Sequence, residues 1–325
     1  MSRPYFLVTI DTEGDNLWSR PRTITTRNAA YLPRFQALCE RYGLKPVYLT
    51  TYEVAVDRAF REFARDALRR RQAEVGLHVH AWNSPPLEAL TSDDLHYQPY
   101  LIEYGERVLR EKVHVLTSLL EEAMGTKMVS HRAGRWAMTQ VYTRALLDHG
   151  YTVDCSVTPG VSWASSPGAP GGRGGSDYTL FPETPYFVDP QAFGRPGPSR
   201  LLQVPMTVRS RRRPVFGMVP PPLRTQPLLR RVLDRALPAQ WLRPKRGNGP
   251  ALRALLDRCL AEGRTYVEFM IHSSEFMPGG SPYFPEARDT DALFDDLEAL
   301  FAHASGRFQG ATLAEFHAVV EAGRA

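Results

Sequence analysis

The residues with the clearest chemical potential in this chain form two doublets, Asp11 with Glu13 and His78 with His80. Each doublet comes at the end of a run of apolar residues. Side chains at positions i and i+2 of a strand point to the same face, so each doublet presents two polar groups in one direction. Two imidazoles and a carboxylate are the ligand set of many catalytic zinc sites. The pattern therefore predicts a site for one divalent ion, with Zn²⁺ expected first and Ni²⁺, Co²⁺, Mn²⁺ or Fe²⁺ able to occupy the same set.

Three further ionisable groups come at or near the ends of apolar runs, namely Arg132, Asp154 and His272. A folding requirement alone would not place them there, because buried charges are costly unless they are paired or bound to a metal. For the His-x-His pair alone, a structural role for one histidine is about as plausible as metal binding. The acidic doublet at the end of another predicted strand favours the metal site.

Apolar runs typical of strands alternate with helical patterns along the chain. We predict strands at 5–10, 46–50, 73–80, 128–131, 152–155, 201–208, 265–271 and 308–311. We predict helices at 28–42, 53–71, 98–124, 138–149, 225–237, 249–262, 289–303 and 312–322.

This alternation predicts an α/β fold with a parallel sheet. No glycine-rich phosphate turn follows the first strand, which favours a closed or partly closed barrel over a dinucleotide-binding fold. In such barrels the chemistry lies where the strands end on their C-terminal side. The two doublets and the three further groups are all expected at that end. We expect one domain over residues 1–325, interrupted by an insertion at about 160–262.

The composition is that of a globular protein, with 43% hydrophobic and 23% charged residues. No apolar stretch is long enough for a membrane-spanning helix, and the N-terminus lacks the pattern of a signal peptide. The three cysteines, Cys39, Cys155 and Cys259, have no paired spacing, which favours small core residues in a reducing compartment. We therefore expect a cytoplasmic location.

Charge is concentrated in residues 195–246, which carry 13 Lys or Arg and a single acid, Asp234, whereas the rest of the chain is net acidic. Such a block is either a solvated arginine-rich face or a surface for an anionic partner. Arginine grips phosphate oxygens in pairs. The anionic partner would then be a lipid-linked glycan or an anionic membrane surface that the protein contacts peripherally. Few aromatic residues accompany the block, so we expect no nucleic acid.

Six stretches taken together resemble the polysaccharide deacetylases of the NodB-homology, carbohydrate esterase family 4 type. The resemblance spans nearly the whole chain and depends on the order and distances of the stretches. They are VTIDTEGD (8–15), EVGLHVHAW (74–82), SHRAGRW (130–136), VDCSVTP (153–159), FMIHSSEF (269–276) and TLAEF (312–316). The resemblance implies a distorted (β/α) barrel of about seven parallel strands.

The resemblance also implies roles for individual residues. Asp11 would be the catalytic base and Glu13 a metal ligand. Arg132 would pair with Asp11, and a nearby positive charge lowers the pKa of a carboxylate. Asp154 would belong to the same catalytic network. His272 would be the general acid, because its ordinary pKa suits proton transfer near neutral pH.

This sequence departs from the family pattern at two places. Asp-Thr-Glu stands where the more familiar motif has two adjacent aspartates. The second family histidine is expected at position 82, which is Trp82 here, so His80 is the substitute ligand beside His78.

The implied activity is metal-dependent removal of acetate from an N-acetylated sugar, with Trp82, Trp136 and Glu275 as substrate-binding candidates, since aromatic rings pack on sugars. Two alternatives stay open. One is a non-catalytic glycan-binding relative, and the other is a different amide hydrolase on the same barrel.

Overall fold

The structure is a computed structural model that describes residues 3–209, 218 and 239–324. Its strands are β1 Tyr5–Thr12, β2 Pro46–Thr50, β3 Glu74–Val79, β4 Ser130–Ala133, β5 Val153–Asp154, β6 Tyr186–Asp189, β7 Ala192–Pro196, β8 Leu202–Gln203, β9 Val208–Arg209, β10 Gln240–Trp241, β11 Tyr266–His272 and β12 Gln309–Ala311. Its α-helices are α1 Leu32–Arg41, α2 Tyr52–Ala55, α3 Arg58–Arg69, α4 Asp94–Tyr97, α5 Glu106–Met124, α6 Gln140–Asp148, α7 Gly249–Ala261, α8 Ala287–Ala304 and α9 Leu313–Ala322.

Seven parallel strands form the main sheet in the order β11-β1-β2-β3-β4-β5-β8. An antiparallel hairpin of β6 and β7 extends it beyond β8, and β12 adds to β1 in parallel. The sheet curls, and the backbone N–H of Met270 on β11 donates to the carbonyl of Leu242, which follows β10. The predicted α/β class and distorted barrel of about seven parallel strands are confirmed.

The central strand β1 is almost entirely buried, as a continuous apolar run predicts for a strand covered on both faces. It pairs with β11 over seven residues, and the last pair in this register joins Asp11 to His272. Two strands along the sheet from β1, β3 pairs with β4 so that His78 lies beside Arg132. Parallel register therefore brings the ionisable strand ends to one edge of the sheet.

Several predicted boundaries differ from the structure. The helix predicted at 53–71 is divided at residues 56–57, because the Asp57 side chain accepts from the Phe60 N–H and caps a new helix there. The helix predicted at 98–124 begins only at Glu106, although it ends as expected at Gly125, where φ is +68°. The strand predicted at 128–131 lies at 130–133. These element boundaries are set by helix capping and strand register rather than by the pattern of hydrophobic residues.

The region of the predicted insertion at 160–262 is only partly described. The strand predicted at 201–208 is two short strands, β8 and β9, and the hairpin of β6 and β7 was not predicted. The helix predicted at 225–237 and most of the basic block lie outside the described residues.

The expectations for the cysteines and for membrane-spanning helices can be compared with the structure. Cys39, Cys155 and Cys259 are buried free thiols, as predicted. Within the described part of the chain, no helix has both the length and the apolar character needed to cross a bilayer.

Candidate active site

A cavity of about 400 Å³ opens where β1, β3 and β11 end. It contains both members of each doublet, together with His272. Two side chains fix the backbone of the loop after β1. The Glu13 N–H donates to Ser273 Oγ, and the Asn28 side chain donates to the Glu13 carbonyl. The carboxylate of Glu13 is thereby presented at the base of the cavity.

Glu13, His78 and His80 each offer one ligand atom, and these atoms lie within 4.8 Å of one another. Glu13 Oε2 is 3.4 Å from His80 Nε2 and 3.9 Å from His78 Nε2. Both distances are shorter than two metal–ligand bonds of about 2.1 Å each, so an ion could bridge Glu13 to either histidine. The three predicted ligands therefore lie together in the structure.

The tautomer of His78 is set by its surroundings. Its Nδ1 lies 2.9 Å from the carbonyl oxygen of Arg132, so the Nδ1–H donates and Nε2 is left as a lone pair facing Glu13. A second hydrogen bond of this kind is the usual way in which a metal-ligating histidine is oriented. Burial lowers the pKa of His78 to about 4, which keeps the imidazole neutral.

His80 is also buried, and burial lowers its pKa well below the ordinary value. Its ring stacks on Trp82 with centroids 4.4 Å apart, and its Nδ1 has no hydrogen-bond partner among the described residues. Burial and the negative charge of Asp11 raise the pKa of Glu13 well above its usual range. A positive ion between these groups would favour the ionised carboxylate and the neutral imidazoles, so the donor set fits a divalent metal.

Asp11 lies beside this cluster, held by Arg132. Arg132 Nη1 donates to Asp11 Oδ1 at 2.5 Å, while Asp11 Oδ2 faces His272 Nε2 at 3.8 Å. Burial acts to raise the pKa of Asp11, but the charge and hydrogen bond of Arg132, together with the neighbouring His78 and His272, outweigh burial and hold that pKa below its usual range. Asp11 is therefore an ionised carboxylate with one oxygen free to face the cavity.

The buried guanidinium of Arg132 has a second acidic partner that the sequence analysis missed. Its Nη2 donates to Glu268 on β11 and to Thr9 Oγ1. Burial raises the pKa of Glu268 to about 7, although the charge of Arg132 opposes that rise. The available signal was a single acid inside the otherwise apolar strand 265–271. Glu268 is fully buried and helps to hold Arg132, the partner of Asp11, in position.

His272 is held from behind by two charged residues. Its Nδ1 lies 3.2 Å from Glu275 Oε2 and 3.1 Å from Arg243 Nη2. Its Nε2 faces the cavity, 3.9 Å from Glu13 Oε1. The predicted acid thus presents one nitrogen to the same space that Asp11 and Glu13 face.

Glu275 occupies a different place from the one predicted for it. It is 0% exposed, so the structure does not offer it for substrate contact. Burial acts to raise its pKa, but Arg243 and His272 outweigh burial and lower it. Oε2 of the ionised Glu275 accepts a hydrogen bond from the His272 backbone N–H and also faces the imidazole Nδ1, while Oε1 accepts from Arg243.

Asp154 also lies away from the cavity. It pairs in parallel register with His131, whereas Arg132 is the next residue on β4 and points to the opposite face. Asp154 therefore faces outward with His131, and Asp154 Oδ1 is 2.7 Å from His131 Nδ1. The structure does not bring Asp154 into the catalytic network that the resemblance implies.

Aromatic rings form much of the cavity wall. Trp82 and Trp136 both line it, as expected of substrate-binding candidates. One face of Trp82 is covered by His80, and the Arg132 guanidinium lies 4.8 Å from the Trp136 ring centroid. The other aromatic residues in the lining are Trp18, Tyr100, Trp163 and Tyr283.

Comparison with known proteins identifies the fold. No protein-family model and no curated protein matches the sequence. A candidate polysaccharide deacetylase from Mycobacterium smegmatis is 15% identical, with a TM-score of 0.56 over 99% of this chain and 95% of that one. A candidate glycoside hydrolase or deacetylase from Parabacteroides distasonis is 12% identical, with a TM-score of 0.58 over 98% of this chain and 72% of that one.

The same fold is found in a branching enzyme from Thermococcus kodakaraensis, crystallised with glucose, which is 11% identical. Its TM-score is 0.53 over 97% of this chain and 71% of that one. The resemblance to the polysaccharide deacetylases is thus confirmed for the fold. Because such barrels host more than one chemistry, the function has to be argued from the site.

Proposed function

We propose that this protein is a divalent-metal-dependent hydrolase that removes acetate from an N-acetylated sugar. One observation carries the proposal. A metal-ligand set of Glu13, His78 and His80 shares a cavity with an arginine-paired carboxylate, Asp11, and with a histidine, His272. Amide hydrolysis needs these parts together, because water must lose a proton and the amine nitrogen must gain one.

A divalent ion held by these three ligands would polarise the amide carbonyl and acidify a water molecule. Asp11 is suited to accept the proton of the attacking water, because Arg132 keeps it ionised and its Oδ2 faces the cavity. His272 is suited to donate a proton through Nε2 to the departing nitrogen. The products are acetate and the free amino sugar.

The aromatic wall supports a sugar as the substrate. Trp82 and Trp136 border the space beside the proposed ligands, and aromatic rings pack against the apolar faces of sugar rings. The basic segment at 195–246 extends the proposal to a lipid-linked substrate or an anionic membrane surface. That extension rests on the sequence, since most of the segment lies outside the described residues.

The direct test is acetate release from a panel of N-acetylated sugars by the protein loaded with Zn²⁺, Co²⁺, Ni²⁺, Mn²⁺ or Fe²⁺. We expect acetate and free amine in equal amounts. Sugar binding without acetate release under every metal would favour the glycan-binding alternative. Hydrolysis of a cyclic amide or ureide, with no action on acetamido sugars, would favour another amide hydrolase.

Replacing Glu275 with Gln is expected to lower kcat roughly 10- to 100-fold, the usual share of a group that orients a functional imidazole. The amide cannot hold the imidazole and Arg243 as an anion does, yet it fills the same space. KM and bound metal should stay unchanged, because Glu275 touches neither substrate nor ligands. Glu275→Asp should recover part of kcat. An unchanged kcat in Glu275→Gln would show that His272 needs no orienting anion.

A further inference from the structure

We propose that the natural substrate of this cavity is an acidic N-acetylated sugar, whose carboxylate or phosphate is bound by Arg135 with Arg20 at the rim. The inference rests on the proposed function for the acetamide end of the substrate. It goes further by assigning a second part of the cavity lining to an anion.

Arg20 and Arg135 both line the cavity. Neither has a carboxylate within ion-pair distance in the described ranges, whereas Arg132 and Arg243 do. Burial lowers the pKa of Arg135, and the charge of Arg20 adds to this effect, while Tyr100 and Glu103 oppose it. Two cations that face one cavity without an ion-pair partner among the described residues are the electrostatic counterpart of an anionic ligand.

Arg135 is fixed in position rather than free at the surface. Its guanidinium lies 4.0 Å from the Tyr100 ring centroid, and it donates to the carbonyls of Gln98 and Pro167. Those two bonds use part of its five N–H donors and none of its charge. Preorganised donors of this kind suit bidentate recognition of a carboxylate or a phosphate.

The backbone around Arg135 is strained in a way that favours a binding role. Arg135 and Trp136 have φ values of +54° and +65°, and Arg20 and Gln98 are also in the left-handed region. All four residues line the cavity. Strained conformations of non-glycine residues cost about 1–3 kcal/mol each and cluster at ligand sites. Four residues in strained conformations therefore present their side chains to the same cavity.

The position of Arg135 relative to the proposed metal ligands fits a single substituted sugar. The residue before Arg135 is Gly134, where an added Cβ would lie 2.7 Å from His80 Cδ2. Arg135 therefore follows directly from backbone that contacts a proposed metal ligand. An acetamide at the ligands and an anion at Arg135 would be carried by one ring or by two adjacent rings.

The test is equilibrium binding measured by tryptophan fluorescence, because four tryptophans line the cavity. The probes are N-acetylglucosaminuronic acid, N-acetylglucosamine 6-phosphate and neutral N-acetylglucosamine. The full-length protein is compared with Arg135→Gln, Arg20→Gln and the control Arg288→Gln, whose side chain is 74% exposed on α8. Thermal unfolding of each variant is measured alongside.

We expect at least one acidic probe to bind roughly 10- to 100-fold more tightly than the neutral sugar, the size of one or two charge-assisted hydrogen bonds. Arg135→Gln should remove most of this preference and Arg20→Gln part of it, while Arg288→Gln retains it. Preference for only one acidic probe would identify the group as carboxylate or phosphate. Because the Arg20 side chain donates no hydrogen bond to any residue that the structure describes, its variant keeps the test valid if Arg135→Gln unfolds.

Equal binding of neutral and acidic sugars by the unaltered protein would overturn the inference, and so would a preference that survives both substitutions. Failure of the proposed function is separately visible. Acidic probes that bind with the expected pattern but release no acetate would sustain the anion site and contradict the deacetylase. Acetate release with equal kcat/KM on neutral and acidic sugars would do the reverse.

Discussion

Replacing Asp11 with Asn is expected to lower the rate of acetate release roughly 10²- to 10⁴-fold, the usual contribution of a positioned proton-transfer group. The amide has the shape of the carboxylate but cannot take a proton from water. It still accepts a hydrogen bond from Arg132, whose other partner, Glu268, stays in place. The measurement is steady-state acetate release from an accepted substrate.

Asp291→Asn is the matched control, because that side chain is 66% exposed and forms an ion pair with Arg34 on the surface. Metal content and thermal unfolding should be measured for both variants, so that lost activity is not confused with lost structure. His272→Ala should lower the rate by a similar factor and keep its metal, since His272 is not a proposed ligand. A near-normal rate in Asp11→Asn would assign the base to another group.

Removing the metal is expected to abolish activity, and adding back a divalent ion should restore it. The reason is the buried set of Glu13, His78 and His80, which has no lysine or arginine among the described residues within ion-pair distance. Binding to the folded state alone should also raise stability, by about 2.7 kcal/mol at a metal concentration 100 times Kd. Elemental analysis, acetate release and thermal unfolding give three separate readouts.

His78→Ala should lose stoichiometric metal together with the metal-dependent rise in stability. His114→Ala is the matched control, because His114 lies on α5 and pairs with His149 on the surface. Full metal occupancy in His78→Ala would contradict the ligand assignment. A zinc-soaked crystal structure with His78 and His80 both turned away from the ion would also contradict it.

The comparison of folds does not explain the basic block of residues 195–246. Its charge was evident from sequence, since 13 basic residues occur with a single acid in residues 195–246. Two of its members that the structure describes, Arg209 and Arg243, are paired with buried or half-buried glutamates. These two arginines therefore form ion pairs within the protein and do not belong to a surface for an anionic partner.

The sequence by itself determined the class of fold and the content of each strand end. Apolar runs alternate with helical patterns, and this periodicity depends only on local burial, so the parallel barrel was predictable. The doublets of Asp11 with Glu13 and of His78 with His80 were predictable for the same reason. Alternation along one strand decides which neighbours share a face.

Only the tertiary structure decided which strand ends meet and from which side. Register between β4 and β5 turns Asp154 outward with His131, although its position after a strand resembled a catalytic acid. The single turn of helix after His272 carries Glu275 back against the imidazole instead of toward a substrate. The roles of Glu268 and Arg135 depend on residues that are distant in the sequence, Arg132 for Glu268 and Tyr100 for Arg135. Such contacts depend on packing between distant segments, and no periodicity within one segment encodes them.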